Sequence, residues 1–87
     1  MDKKEYFRQL AVFLVATNTT MTGETLAMLL NWNNFKTGYN TVYEGGRGTY
    51  TLIHATYDSL VNNGNQADAD KLALAFKKPD GSYAYNK

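Results

Sequence analysis

The sequence lacks cysteine, and this absence excludes several classes of protein. Neither a disulfide framework nor a thiolate zinc site is possible, and the single histidine cannot hold a metal without several carboxylates beside it. The sequence also lacks a large excess of positive or negative charge, because its formal net charge is +1. This balance argues against a strongly electrostatic nucleic-acid binder. We expect a fold stabilised by packing, with no metal and no cofactor.

Long apolar runs are also absent. The longest, residues 10–16, is much shorter than the about 20 residues that a membrane span needs. The basic residues before it are diluted by Asp2, Glu5 and Gln9, and no small-residue cleavage motif follows Ala16, so it does not match a secretory signal. We predict a core helix in a cytoplasmic protein without a membrane partner.

The length and the apolar content of the chain are typical of one folded domain. The 87 residues suffice for a single helical domain, residues 1–87, and 44% of them are apolar. Aromatic residues make up 14% of the chain, and seven of them are tyrosines. The chain is therefore able to close a core.

Apolar spacing and capping residues predict four helices. Thr22 is a plausible N-cap of the second helix, and Asn33-Asn34 stops it, because asparagine tolerates the left-handed conformation of a helix C-cap. Gly64 suits the position after the third helix, and Pro79 ends the fourth. The predicted helices cover residues 2–16, 22–32, 49–63 (with Thr49 or Thr51 as the cap) and 66–77.

Apolar residues at helical spacing predict the core. Tyr50, His54 and Asp58 fall together on another face of the third helix. The predicted buried residues are Tyr6, Phe7, Leu10, Phe13 and Leu14 in the first helix, Leu26, Ala27, Leu29 and Leu30 in the second, Ile53, Thr56, Tyr57, Leu60 and Val61 in the third, and Ala69, Leu72, Ala73 and Phe76 in the fourth.

The connection between the second and third helices is irregular. Residues 35–48 contain four glycines and Asn40, too many helix breakers for a regular helix. A short strand at residues 41–43 is predicted to pair with another at residues 83–85, which follow a turn signature at Pro79. The expected fold is mainly α: a small four-helix domain with a Gly-rich connection and a short two-stranded β element.

No catalytic constellation is evident, so we do not expect an enzyme. Asp68 and Asp70 are two residues apart on a helix and do not face each other. Ser59 and Ser82 lack a G-x-S-x-G setting, and His54 has no evident nucleophile partner.

The most unusual segment is residues 44–49, Glu-Gly-Gly-Arg-Gly-Thr. Its glycines allow close backbone approach, Arg47 can bind a phosphate, and Thr49 opens a helix whose N–H groups attract anions. The spacing matches neither nucleotide-binding glycine motif. Contact with a nucleic-acid backbone and an ordinary surface loop with a helix cap both remain open.

Leu30-Asn31, then Phe35-Lys36-Thr37, then Asn40 and Tyr43, with a helix beyond, resembles a pattern in the DNA-binding region of large serine recombinases. The family pattern is Leu-Asn, two residues, Gly, an aliphatic residue, one residue, Thr, two residues, Gly, two residues and an aromatic, before a helix opened by Ser or Thr. Asn34 and Asn40 stand at its glycine positions, and asparagine tolerates positive φ. The chain is too short for a catalytic serine domain.

The resemblance implies a helix-turn-helix-like unit in a DNA-binding regulator or accessory protein, as in small proteins of phages and other mobile elements. The third helix would be the recognition helix, with Thr51 and His54 toward base edges and Tyr50 on a groove wall. Two basic residues support only weak binding, so a homodimer or a partner protein would be needed. The residues implied to contact phosphates are Lys36, Thr37, Tyr39, Arg47 and Thr49.

The alternative is a protein-binding module, such as an inhibitor of a host enzyme or defence system. The near-neutral charge, the seven tyrosines and the single tryptophan favour it, because these aromatic residues are enriched at protein interfaces. Double-stranded DNA and a host protein are thus the two expected partners.

Overall fold

The computed structural model describes residues 2–44 and 47–85, which form a mainly α domain with four helices and a two-stranded sheet. The predicted fold class is confirmed. In chain order the elements are α1 (Lys3–Ala16), β1 (Met21–Thr22), α2 (Gly23–Trp32), α3 (Arg47–Asn62), α4 (Gln66–Ala75) and β2 (Phe76–Lys77).

Local capping accounts for most helix ends. The Asp2 carboxylate accepts a hydrogen bond from the Glu5 amide at 2.8 Å, and the Thr22 hydroxyl accepts one from the Thr25 amide at 3.3 Å. Asn34 follows α2 with φ 61°, and Gly64 follows α3 with φ 79°. The predicted N-cap at Thr22 and the predicted stops after α2 and α3 are confirmed. At both stops the left-handed backbone lets the next amide donate to a terminal carbonyl oxygen, Phe35 to Leu30 at 3.0 Å and Asn65 to Leu60 at 2.8 Å.

The core forms where α4 packs against α1 and α3, while α2 packs against α3. The Phe7 and Phe76 rings lie at its centre, with their centroids 5.0 Å apart. The largest fully buried apolar side chains are Phe7, Leu26, Leu30, Ile53, Leu72 and Phe76.

Parts of the predicted core are wrong. Phe13, on α1, is 60% exposed, and Val61, near the end of α3, is also exposed. Leu29 is half-buried and does not pack against the core, whereas Tyr6, Leu10 and Ala73 are half-buried and do. Helical periodicity places a residue on a face, but the neighbouring helices decide how much of that face is covered.

The strand pairing also differs from the prediction. β1 pairs in parallel with β2, with Met21 opposite Phe76, and Lys77 forms an antiparallel bridge with Tyr83. Residues 41–44 contain no strand, so the predicted pairing of residues 41–43 with 83–85 is wrong. Consequently α4 ends at Ala75, before the predicted end at residue 77, because Phe76 adopts extended backbone angles to join the sheet.

Helix α3 begins at Arg47, two residues before the nearer of the two predicted caps. Thr49 is fully buried, and its hydroxyl donates to the Gly23 carbonyl oxygen at 3.0 Å. The predicted capping role of Thr49 or Thr51 is therefore wrong. Thr49 instead connects α3 to the first turn of α2.

Among the described residues, no helix has both the length and the apolar character required to cross a membrane.

Candidate binding surface

The described part of the connection, residues 33–44, folds back onto α2. Asn31 holds it by accepting from the Tyr43 amide and donating to the Tyr43 carbonyl oxygen, both at 2.8 Å. A turn precedes this anchor, in which the Thr41 amide donates to the Thr37 hydroxyl at 3.3 Å and Asn40 has φ 61°. Side chains thus satisfy backbone groups that neither a helix nor a sheet pairs.

Lys3 connects this loop to α1. Its Nζ donates to the Tyr43 hydroxyl at 2.8 Å and to the Lys36 carbonyl oxygen at 2.7 Å, and the Tyr43 side chain is buried. No pattern in the sequence indicates this role, because Lys3 is 40 residues from Tyr43 and has the spacing of an ordinary surface lysine.

A cleft of about 710 Å³ lies between the loop and the first turns of α3. We call it the loop cleft. Its apolar lining residues are Tyr39, Val42, Tyr43, Leu52 and Ala55, while Lys3, Thr37, Glu44 and Thr51 add polar groups.

The structure brings only some of the predicted site residues together. Thr37, Tyr39 and Thr51 line the loop cleft, and Lys36 is exposed at the start of the loop. Arg47 begins α3, but its side chain lies outside the described part of the chain, as do Gly45 and Gly46.

The remaining predicted residues lie elsewhere. Thr49 is buried, so the prediction that it contacts phosphate is wrong.

Tyr50 is half-buried with its hydroxyl 3.4 Å from Glu24, and burial together with that carboxylate raises the pKa of Tyr50. His54 is exposed, and its ring centroid lies 4.9 Å from that of Tyr85. Tyr50, His54 and Asp58 therefore do not form one exposed face.

The outward face of α3 carries little positive charge. Its exposed residues include Thr51, His54 and Asp58, and no lysine or arginine occurs between Arg47 and Lys71. The connection from α2 covers residues 33–46, whereas a helix-turn-helix turn has about three to four residues. A recognition helix here would depend on Arg47 for its basic contacts.

Large apolar side chains are exposed on α2 and on the loop. On α2, Met28 is 51% and Trp32 is 71% exposed, and their spacing of four residues places them on one face. On the loop, Tyr39 is 93% and Val42 is 48% exposed. We call these four residues the α2–loop surface: two lie on α2, and two lie on the loop that Asn31 ties to α2.

Within the described ranges, no group of three His, Asp or Glu side chains is arranged to hold a metal ion. Comparison of the chain with protein-family models, with curated proteins and with solved structures gives no match. The resemblance to serine recombinases thus stays a prediction.

We expect Asn31→Asp to loosen the loop while the helices stay folded. A carboxylate still accepts from the Tyr43 amide but cannot donate to the Tyr43 carbonyl, so the free energy of unfolding should fall by about 1–2 kcal/mol. Hydrogen exchange of the Tyr43 amide and urea unfolding would measure the effect. Asn62→Asp, at the exposed C-terminal end of α3, controls for an added charge near a helix C-terminus. Equal Tyr43 protection in both variants would contradict the proposed anchor.

Proposed function

We propose that this chain is a protein-binding module whose contact surface is the α2–loop surface. The observation that carries this proposal is the exposure of Met28, Trp32, Tyr39 and Val42, which ranges from 48% to 93%. Three of the four are Met, Trp and Tyr, residue types that are enriched in the buried centres of protein interfaces.

The charge distribution supports a protein partner over a nucleic acid. The outward face of α3 contains Asp58 and no lysine or arginine after Arg47, and the net charge of the chain is only +1. Lys36 lies in the loop, and Lys3 is hydrogen-bonded to its carbonyl oxygen. We therefore expect a partner whose apolar surface has carboxylates at its edge.

Trp32 is the residue that we expect to contribute most to binding. A tryptophan that becomes buried at an interface commonly contributes about 2 kcal/mol or more, so Trp32→Ala should weaken binding by about 30-fold. Leu74→Ala is the matched control, because Leu74 is a large, exposed apolar residue on α4, outside the α2–loop surface.

The test is affinity capture from a nuclease-treated host lysate with three versions of the full chain: wild type, Trp32→Ala and Leu74→Ala. We expect one stoichiometric protein with wild type and Leu74→Ala, and loss of it with Trp32→Ala. Because Trp32 is the single tryptophan, its fluorescence should shift to shorter wavelength when the purified partner buries it. Capture that is equal for all three versions would refute the proposal that the α2–loop surface binds the partner.

A second candidate function is binding to double-stranded DNA, and the position of Lys36 favours it. Lys36 is exposed at one end of the loop that contains Thr37 and Tyr39, and the Lys3 ammonium lies 2.7 Å from its carbonyl oxygen. Phosphate contacts by these residues would position the chain without reading sequence.

Under the DNA hypothesis, Lys36→Ala should weaken binding to mixed-sequence duplexes and reduce the salt slope by about 1. Lys78→Ala, which removes an exposed lysine after β2, should not have this effect if the loop is the contact. A wild-type chain that shows no salt-sensitive mobility shift would eliminate this candidate.

A further inference from the structure

We propose that the loop cleft is a groove for an acidic, apolar peptide segment of the partner protein. An aromatic or aliphatic side chain of the segment enters the cleft, and one carboxylate binds the Lys3 ammonium. This inference rests on the proposed function and deepens it, because it assigns the chemistry of one part of the partner.

The size and lining of the cleft fit such a segment. Its volume of about 710 Å³ lies within the roughly 300–1,000 Å³ typical of ligand sites. Val42 and Ala55 line it from opposite sides and both remain exposed among the described residues. Tyr39 extends the apolar lining outward. An inserted apolar side chain would remove these atoms from water.

Lys3 provides an oriented positive charge at the edge of this apolar lining. An ammonium has three N–H donors, and two of them bind the Tyr43 hydroxyl and the Lys36 carbonyl oxygen. Both acceptors are neutral, and no carboxylate of the described residues forms an ion pair with Lys3. The ammonium also lies over the Tyr43 ring, 5.4 Å from its centroid. Its third N–H and its charge, which no carboxylate pairs, suit an acidic ligand, and the two tethers reduce the ordering cost of binding it.

Other groups in the cleft restrict the ligand. Glu44 also lines the cleft, so it disfavours a ligand with negative charge along its whole length. A nucleic-acid backbone, with one charge per nucleotide, fits apolar walls and a carboxylate poorly. A peptide with one acidic residue next to an apolar one satisfies Lys3 without placing a charge against Val42 or Leu52.

The experiment is selection from a random dodecapeptide phage-display library on the immobilised full chain. A parallel selection uses Ala55→Trp, which fills the cleft from an exposed position and should leave the core intact. We expect enrichment of peptides that combine one Asp or Glu with an aromatic or aliphatic residue, and loss of that enrichment with Ala55→Trp. The proposal would be overturned if the wild-type chain enriched such peptides no more than Ala55→Trp does, or if it enriched basic peptides.

A selected peptide is then synthesised in two forms, one with its Asp or Glu and one with the corresponding Asn or Gln. The two forms test whether Lys3 binds the carboxylate. Lys3→Gln should weaken binding of the acidic peptide by about three- to tenfold, the effect of one charge-assisted hydrogen bond at a partly exposed site. It should also abolish the difference in affinity between the acidic peptide and the amide peptide. Lys4→Gln, at the neighbouring exposed lysine, should preserve that difference, because Lys4 does not line the loop cleft. An unchanged difference with Lys3→Gln would overturn the assignment of Lys3.

The same variants separate failure of this inference from failure of the proposed function. Partner capture that depends on Trp32 but is unaffected by Ala55→Trp would refute the groove alone. Peptide binding at the cleft without any partner captured through Trp32 would refute the α2–loop surface and retain the groove.

Discussion

Replacing Phe76 by alanine is expected to lower the free energy of unfolding by about 3–5 kcal/mol, the usual cost of removing a fully buried phenylalanine. The Phe76 ring has no solvent exposure, and its centroid lies 5.0 Å from that of Phe7. The substitution would therefore leave a cavity at the centre of the domain. Guanidinium unfolding followed by far-ultraviolet circular dichroism would measure the loss.

Phe13→Ala is the matched control for this prediction. Phe13 has the same side chain and lies on α1, but it is 60% exposed, so its loss should change stability by about 0.5 kcal/mol or less. If Phe76→Ala does not fold, Phe76→Leu should fold with a smaller loss of stability. Equal losses for Phe76→Ala and Phe13→Ala would contradict the placement of the core.

Gly23→Ala is expected to destabilise the domain by about 1–3 kcal/mol, although alanine is the better helix former by about 1 kcal/mol. Gly23 opens α2 and is buried against α3. A Cβ there would lie 2.7 Å from both the Thr49 hydroxyl oxygen and Cε1 of Tyr50. Because both neighbours belong to the packed contact between α2 and α3, these side chains or the helices themselves must shift to make room. Thermal unfolding would report the effect.

Gly38→Ala controls for the general effect of replacing a glycine. A Cβ at Gly38 would meet no atom within 4 Å, so this variant should be neutral or slightly more stable. Removing the Tyr50 ring in the Gly23→Ala background should recover part of the stability that Gly23→Ala loses, because part of the overlap is with that ring. A Gly23→Ala chain as stable as wild type would contradict the close packing of α2 on α3 at this position.

The helix limits were the most predictable part of the fold. Asp2, Thr22, Asn34 and Gly64 act on backbone groups within a few residues of themselves, so their effects can be inferred without knowledge of the tertiary structure. The end of α4 was less predictable, because Phe76 leaves the helix to pair with Met21, a residue far away in the sequence.

The candidate site was predictable only in part. The sequence indicated the irregular connection, and with it Lys36, Thr37 and Tyr39. It did not indicate that Thr49 is buried against Gly23 or that Lys3 is held by Tyr43. Both contacts join residues more than 20 positions apart, and a serine, threonine or lysine has no periodic pattern that reveals a distant partner.

By itself, the sequence determined the helical class, the N-cap at Thr22, the stops at Asn34 and Gly64, and an irregular connection after α2. These depend on interactions between neighbours along the chain. The tertiary structure alone decided which apolar side chains are covered, so that Phe76 is buried while Phe13 is exposed. It also decided that Lys3 is bonded to the loop at Tyr43 and Lys36. The reason is that burial and long-range hydrogen bonds depend on where the four helices cross, and no local property of a residue specifies that.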